Sequence, residues 1–177
     1  SWTQGLAQGK SFVTTGPMLL LKVNGENPGS ILEIAKDAPP LQVEIEMLSE
    51  VAANECIEII VNGHVVERIP LKEVALPQRA SITRELPLTE SMWISARVYG
   101  KHPEGLPDSE AHTNPVYVYK AGQRIHHQDS VDWLVKQIDA QLLVHEAREF
   151  EHKTEVLRYF QQAREKLLGL NPELGIK

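Results

Sequence analysis

The sequence predicts a mainly β protein with an α appendage: an immunoglobulin-like antiparallel β-sandwich followed by a C-terminal two-helix hairpin. Three observations predict it. Between Ser11 and Tyr119, short apolar runs alternate with period two and are punctuated by Gly, Pro and Asn-Gly. Two of these runs flank Asn62-Gly63, the residue pair that best tolerates the positive φ of a tight hairpin turn. From Gln128 the apolar period becomes helical and stays so until Gly169 and Pro172.

Residues 1–9 read as the end of a helix, with Trp2 and Leu6 at i and i+4 and Gly9 as the stop. The run Met18–Val23 ends at Asn24-Gly25, which repeats the turn signal. Leu41 to Met47 alternates strictly, so one face is buried and the other solvated. Cys56–Val61 and His64–Ile69 form the hairpin arms. Ser81–Leu86, Met92–Tyr99 and Pro115–Tyr119 complete about seven short strands. In Met92–Tyr99, Ile94, Ala96 and Val98 alternate with Trp93, Ser95, Arg97 and Tyr99. Pro39-Pro40, Pro70, Pro77, Pro87, Pro103 and Pro107 lie between the runs, where a missing amide donor does no harm.

Asp129 or Ser130 is expected to cap the first helix, with Asp132 in its first turn. Its stripe is Val131, Leu134, Val135, Ile138 and Leu142; a second stripe holds Val156, Phe160, Ala163 and Leu167. One continuous helix would carry His145, Glu149 and His152 on that face. The expectation is therefore two antiparallel helices broken near Arg148–Lys153. The domain boundaries that follow are 17–122 for the sandwich, 123–170 for a hairpin packed on it, and 171–177 for a frayed tail.

Composition narrows the function classes. The net charge of −6 over 177 residues and the absence of a basic run interleaved with aromatics argue against a nucleic-acid or anionic-membrane surface. The longest apolar stretch, Met18–Leu21, is far short of a membrane span. Cys56 is the single cysteine, which excludes an internal disulfide and a Cys-based zinc site. Ile57 and Ile59 beside it point to a buried, inert thiol.

A catalytic site needs titratable groups gathered in one place. The best local candidate is Asp108, Glu110 and His112, which an extended backbone would point to one side; they read as a metal or acid/base site, or as a solvated loop before the last strand. His126-His127 diverge on either backbone geometry, and His145 and His152 suit a helix–helix corner better than a ligand pair. No Gly-x-Ser-x-Gly elbow and no phosphate-cradling glycine loop occurs. Trp93, Tyr99, Tyr117 and Tyr119 could form a sugar-stacking platform, or cover the seam with a packed helix. No catalytic residue is assigned.

The stretch "QGKSFVTTGPMLLLKVNGENPGS" resembles one in CehA/McbA-like metallohydrolases of the PHP superfamily, where a helix and a Gly-(Lys/Arg)-Ser-Phe-Val-Thr-x-Gly-Pro segment leave the catalytic barrel. "IEIIVNGHVVERI", "AHTNPVYV", "DSVDWLVKQIDAQL" and "VLRYFQQAREKL" are similar to later stretches of that family in the same order, so the resemblance covers residues 2–168. It implies that residues 1–16 are the trailing edge of an upstream PHP-like domain and that Ser1 is a cut start. It also implies that the chain is a non-catalytic C-terminal accessory module of a metal-dependent hydrolase of esters, amides or phosphoesters. The family's divalent-metal ligands lie in its barrel, and no His-x-His or Asp-x-His motif occurs here, so no cofactor or metal ligand is carried over. Thr14, Thr15, His112, Thr113 and Asn114 would border the parent's active site. The implied partner is the upstream catalytic domain, which would cover Met18, Leu20 and the first helix. Rival readings are a carbohydrate-binding sandwich, with a glycan or a second copy as partner, and a small metalloenzyme using Asp108, Glu110 and His112.

Overall fold

The computed structural model describes residues 1–50, 52–72, 75–101 and 108–170; Pro103, Pro107 and the tail 171–177 lie outside them. In chain order the elements are α1 (Trp2–Ala7), β1 (Phe12–Thr14), β2 (Met18–Val23), β3 (Ile31–Ile34), β4 (Leu41–Ser49), β5 (Cys56–Val61) and β6 (His64–Pro70). They continue with β7 (Gln78–Leu86), β8 (Met92–Gly100), β9 (Ser109–Thr113), β10 (Val116–Lys120), α2 (Gln128–Glu146) and α3 (Lys153–Leu168). The chain divides into two compact units, Ser1–Gly122 and Gln123–Lys177.

The first unit is built of two sheets. The three-stranded sheet has the order β2-β4-β7, all antiparallel. In the seven-stranded sheet β8 is central: β5 lies on one side of it and carries β6, while β9 and β10 share the other side. β1 adds to β9 antiparallel and β3 adds to β10 parallel. The inward residues of both sheets form one core, with Leu19, Leu21, Val43 and Ile45 from the smaller sheet and Ile57, Ile59, Ile94, Val98 and Val118 from the larger. Each fully buried Leu or Ile contributes roughly 1.5–3 kcal/mol of transfer free energy, so this layer dominates the unit's stability.

The turns follow the expected chemistry. Asn62 and Gly63 have φ of 50° and 86°, and Asn24 and Gly25 have φ of 49° and 82°, the left-handed values that these residue types tolerate. Three strands exceed the seven read from the sequence. β1, β3 and β9 have three, four and five residues, too short to display a period. Residues 12–14, set apart above with the incoming segment, belong to the sandwich through the pairs Phe12–Thr113 and Thr14–Ala111.

Two bulges re-aim side chains. Along β8, His112 faces Arg97 but Val116 faces Ile94, so the β9–β10 side holds one extra residue around Asn114-Pro115. The Thr113 hydroxyl accepts from Ala96 N–H at 3.0 Å there, standing in for the lost ladder carbonyl. A second register shift falls at Ile59/Ile60 in the β5–β6 hairpin. At the far end of the sandwich, a buried polar lock joins the two sheets. Gln78 Oε1 accepts from Asn54 N–H at 2.6 Å, Gln78 Nε2 donates to Asn54 O at 3.0 Å, and Ser109 Oγ donates to Asn54 Oδ1 at 3.1 Å.

The second unit is the expected helical hairpin, broken between Glu146 and Lys153. His152, at φ 58°, makes the corner. The His145 ring stacks on Phe160 at 5.4 Å and meets Phe150 edge-on at 5.5 Å, so this histidine packs the turn. Arg164 Nε donates to Asp139 Oδ1 at 2.6 Å and ties the two helices together. The expected capping by Asp129 or Ser130, with Asp132 in the first turn, is corrected: α2 starts earlier, with His127 at the N-cap and no side-chain cap bond, and Asp132 falls beyond the first turn. Asp129 lies inside the first turn, where it still meets the positive end of the helix dipole.

Candidate functional site

The outward face of the larger sheet gathers the charged residues. Alternation places Glu58 of β5, Arg97 of β8 and His112 of β9 outward, and the register lines up Arg68, Glu58, Arg97 and His112 across four strands. Glu58 is 1% exposed. Its Oε1 accepts from Arg68 Nε at 2.8 Å and its Oε2 from Arg97 Nε at 2.8 Å, with Arg97 Nη2 also on Oε2. Burial pushes the Glu58 carboxyl up, but the bonds from Arg68 and Arg97 outweigh it and hold the group below its ordinary value. Both oxygens are occupied, so Glu58 tethers two arginines rather than serving as a base. Arg97 also lies over the Tyr99 ring at 5.9 Å, and the neighbouring Cys56 raises the Tyr99 phenol.

The aromatics of the sequence reading share this face. Trp93 and Tyr117 are direct cross-strand partners, and Tyr99 and Tyr119 follow at period two along β8 and β10. All four are half-buried. Ser95, between Trp93 and Arg97 on the same face, is buried, and its Oγ has no partner among the described residues.

Of the metal candidates, Glu110 and His112 lie on one face of β9, Glu110 exposed and His112 half-buried; Asp108 precedes the strand and is exposed. His112 Nδ1 is 2.8 Å from Thr113 O. Among the described residues no group of three His, Cys, Asp or Glu is arranged to hold a metal ion. His126 Nε2 lies 3.2 Å from Gln128 Oε1, and His152 is at the helix corner.

Thr14, Thr15, Thr113 and Asn114 do converge, as a clip. Thr15 Oγ1 donates to Asp108 O at 2.8 Å and accepts from Glu110 N–H at 2.9 Å, sealing the end of β1 to β9. Thr14 Oγ1 donates to Pro17 O at 2.6 Å and accepts from Gly16 N–H at 2.9 Å, shaping the turn into β2. Asn114 Nδ2 donates to Gly9 O at 3.1 Å and Ser11 Oγ at 2.9 Å, fixing the segment that follows α1. Gly29, at φ +85°, lies so close to the Gln8–Gly9 backbone that a Cβ would collide with Gln8 O.

Beside this clip, along the free side of β2, runs a groove of about 360 Å³ with Phe12, Leu19 and Leu21 in its floor and Lys10, Lys22, Glu44 and Glu46 among its rim. Sequence reasoning missed Glu58 and its two arginines: Arg97 meets it through the long-range β5–β8 pairing, and Arg68 only through the bulge at Ile59/Ile60. No protein-family model, no curated protein and no solved structure matches the chain.

Proposed function

We propose that this chain is a non-catalytic accessory module of a larger metal-dependent hydrolase of the PHP type, holding an attached catalytic domain through α1. The observation that carries this is the clip. Two of the stretches that carry the family resemblance, Ser11–Gly16 and Ala111–Val118, are bonded to one another through Asn114 and the Phe12–Thr113 pair, and Thr15 extends the contact to Asp108 and Glu110 just before the second. They brace the segment behind α1, whose residues are unburied and whose Trp2 is 81% exposed. A braced helix presenting a bare tryptophan suits a joint with further polypeptide. Thr14 and Thr15 act in that joint by spending their hydroxyls on backbone groups. We propose further that the strand order is a variant of the immunoglobulin arrangement; the central pairs β4–β7 and β5–β8, with β4 leading to β5 across the sheets, support it.

The test compares two polypeptides. The chain by itself, supplied with Mn²⁺ or Zn²⁺, is expected to leave carboxylic esters and phosphoesters intact. The polypeptide that includes the upstream reading frame is expected to hydrolyse one of these classes. In it, Trp2→Ala with Leu6→Ala should lower turnover while the module's own melting is unchanged. Metal-dependent hydrolysis by the chain alone overturns the proposal.

A second reading, a carbohydrate-binding sandwich, is favoured by the Trp93–Tyr117 pair flanked by Arg97. A glycan panel titrated against tryptophan fluorescence, with Trp93→Ala as control, separates it from the first.

A further inference from the structure

Two cations share one carboxylate on the outward face of the larger sheet. Glu58 is 1% exposed, whereas the side chains of Arg68 and Arg97 are 67% and 42% exposed, so the guanidinium groups lie on the solvent side of the carboxylate. Arg68 gives Glu58 its Nε–H, and Arg97 gives its Nε–H and an Nη2 proton. A guanidinium carries five N–H groups in a planar fork. Both Nη groups of Arg68 and Nη1 of Arg97 are therefore left without a partner among the described residues. No second carboxylate among those residues pairs with either arginine. The in-register neighbour of Arg97 on β9 is His112, and Glu110 stands one row away, opposite Tyr99.

The same face continues toward the aromatic residues. Two positions along β8 from Arg97 is Ser95, 0% exposed, whose Oγ has no partner among the described residues. Two positions further is Trp93, opposite Tyr117 of β10. At about 3.4 Å of rise per residue, the cation pair and the aromatic pair are roughly 14 Å apart. One sugar ring is shorter than that, so a single ligand that reaches both is a chain of rings.

We propose that this face binds a glycan that bears carboxylates, one carboxylate on the free N–H groups of Arg68 and Arg97 and a ring of the same chain stacked on Trp93 and Tyr117. The inference rests on the carbohydrate reading above and names its substrate class. The guanidinium fork matches a planar carboxylate with paired hydrogen bonds. Glu58 already holds both arginines in place, so little side-chain freedom is lost when a ligand arrives. The Ser95 hydroxyl, between the two subsites, is an orphan of the kind that a sugar hydroxyl satisfies. A neutral sugar leaves the arginine pair unused, and a free anion leaves the aromatic pair unused. The chain's net charge of −6 repels polyanions in general, so affinity for one must come from this local site.

The test titrates the full chain calorimetrically with hexamers of galacturonate, mannuronate and glucuronate, each also as its methyl ester, which keeps the rings and removes the charge. One acidic hexamer should bind at least about tenfold more tightly than its ester, the scale of hydrogen bonds to a charged group. Arg68→Ala and Arg97→Lys should each cost about the same factor. Arg97→Lys keeps a cation beside Glu58, so the buried carboxylate is not stranded, and thermal melting by circular dichroism checks the fold of both variants. Arg79→Ala, which removes the same charge from β7 of the smaller sheet, should change nothing. An ester that binds as tightly as its acid overturns this inference and leaves the carbohydrate reading standing. Silence from every hexamer and every ester overturns both. Binding indifferent to Arg68→Ala and Arg97→Lys, or matched by polyaspartate, also overturns the inference.

Discussion

The two sides of the sandwich are finished by opposite means. On the β6/β7 side, Glu67 is paired in register with Ile59 and Arg84 with Val43, both core residues, so the two charges grow from the inward side of their strands. They meet across the gap between the sheets, Arg84 Nε donating to Glu67 Oε1 at 2.7 Å. On the β1/β2 side the corresponding gap is a groove floored by Phe12, Leu19 and Leu21, and the backbone of β2 has groups to spare. One side is closed by a pair of inward charges, the device that keeps edges apart. The other is left apolar, and among the described residues the outward backbone groups of Leu19 and Leu21 have no partner. A single small fold can thus hold a sealed edge and an open one, and the difference lies in four or five side chains.

The largest effects should come from the open side, because core leucines stand at its margin. Leu19→Ala removes a fully buried side chain and leaves a cavity open to the groove; a loss of about 2–5 kcal/mol is expected in urea unfolding. Ile82→Ala, on the sealed side and only half-buried, should cost less. Gly29→Ala comes next. It forces a Cβ into a left-handed backbone, at roughly 1–2 kcal/mol, and against the Gln8 carbonyl, so the segment through α1 must shift. Limited proteolysis between Ala7 and Phe12 should become faster, while the amides of β4 and β8 keep their protection from exchange.

These contrasts show where sequence reading succeeds. Some strand limits were legible: β2 and β5 begin and end where Met18–Val23 and Cys56–Val61 predict, because apolar runs ending at Asn-Gly turns mark where a strand stops. The helical break was legible because His145, Glu149 and His152 would have spoiled a single buried face. The short edge strands were hidden, since three to five residues carry no period. So was the charged row. A two-residue hairpin at Asn62-Gly63 pairs Val61 with His64, and an unbroken ladder would then set Glu58 opposite Glu67, two like charges. The shift at Ile59/Ile60 sets Glu58 opposite Arg68 instead, and leaves Glu67 for Arg84. No propensity announces such a shift; it follows from the partners that become available after folding.

Glu58 gives the next effect. Its folded-state carboxyl titrates below the ordinary value, so as pH falls the unfolded chain takes up the proton first, near the usual glutamate pKa of about 4.3. The stabilisation is complete above that range and is lost as the pH drops through the folded-state value. Glu58→Gln should lower stability at neutral pH by about 2 kcal/mol, the scale of a hydrogen bond to a charged group. It should also flatten the acid limb of the unfolding midpoint against pH. An acid limb that keeps its slope in the variant would place the responsible carboxylate elsewhere.

The smallest effect belongs to the sealed side. Glu67 and Arg84 are each partly open to water, with side chains 33% and 40% exposed, so their attraction is screened and offset by the cost of ordering two long side chains. A double-mutant cycle of Glu67→Ala and Arg84→Ala should return a coupling of at most about 1 kcal/mol. Raising the salt to about 1 M shortens the screening length to about 3 Å and should take most of that coupling away. A coupling well above this, indifferent to salt, would mean that the pair is shut off from water between the sheets. The seal would then be part of the core, and the two sides would differ in depth as well as in chemistry.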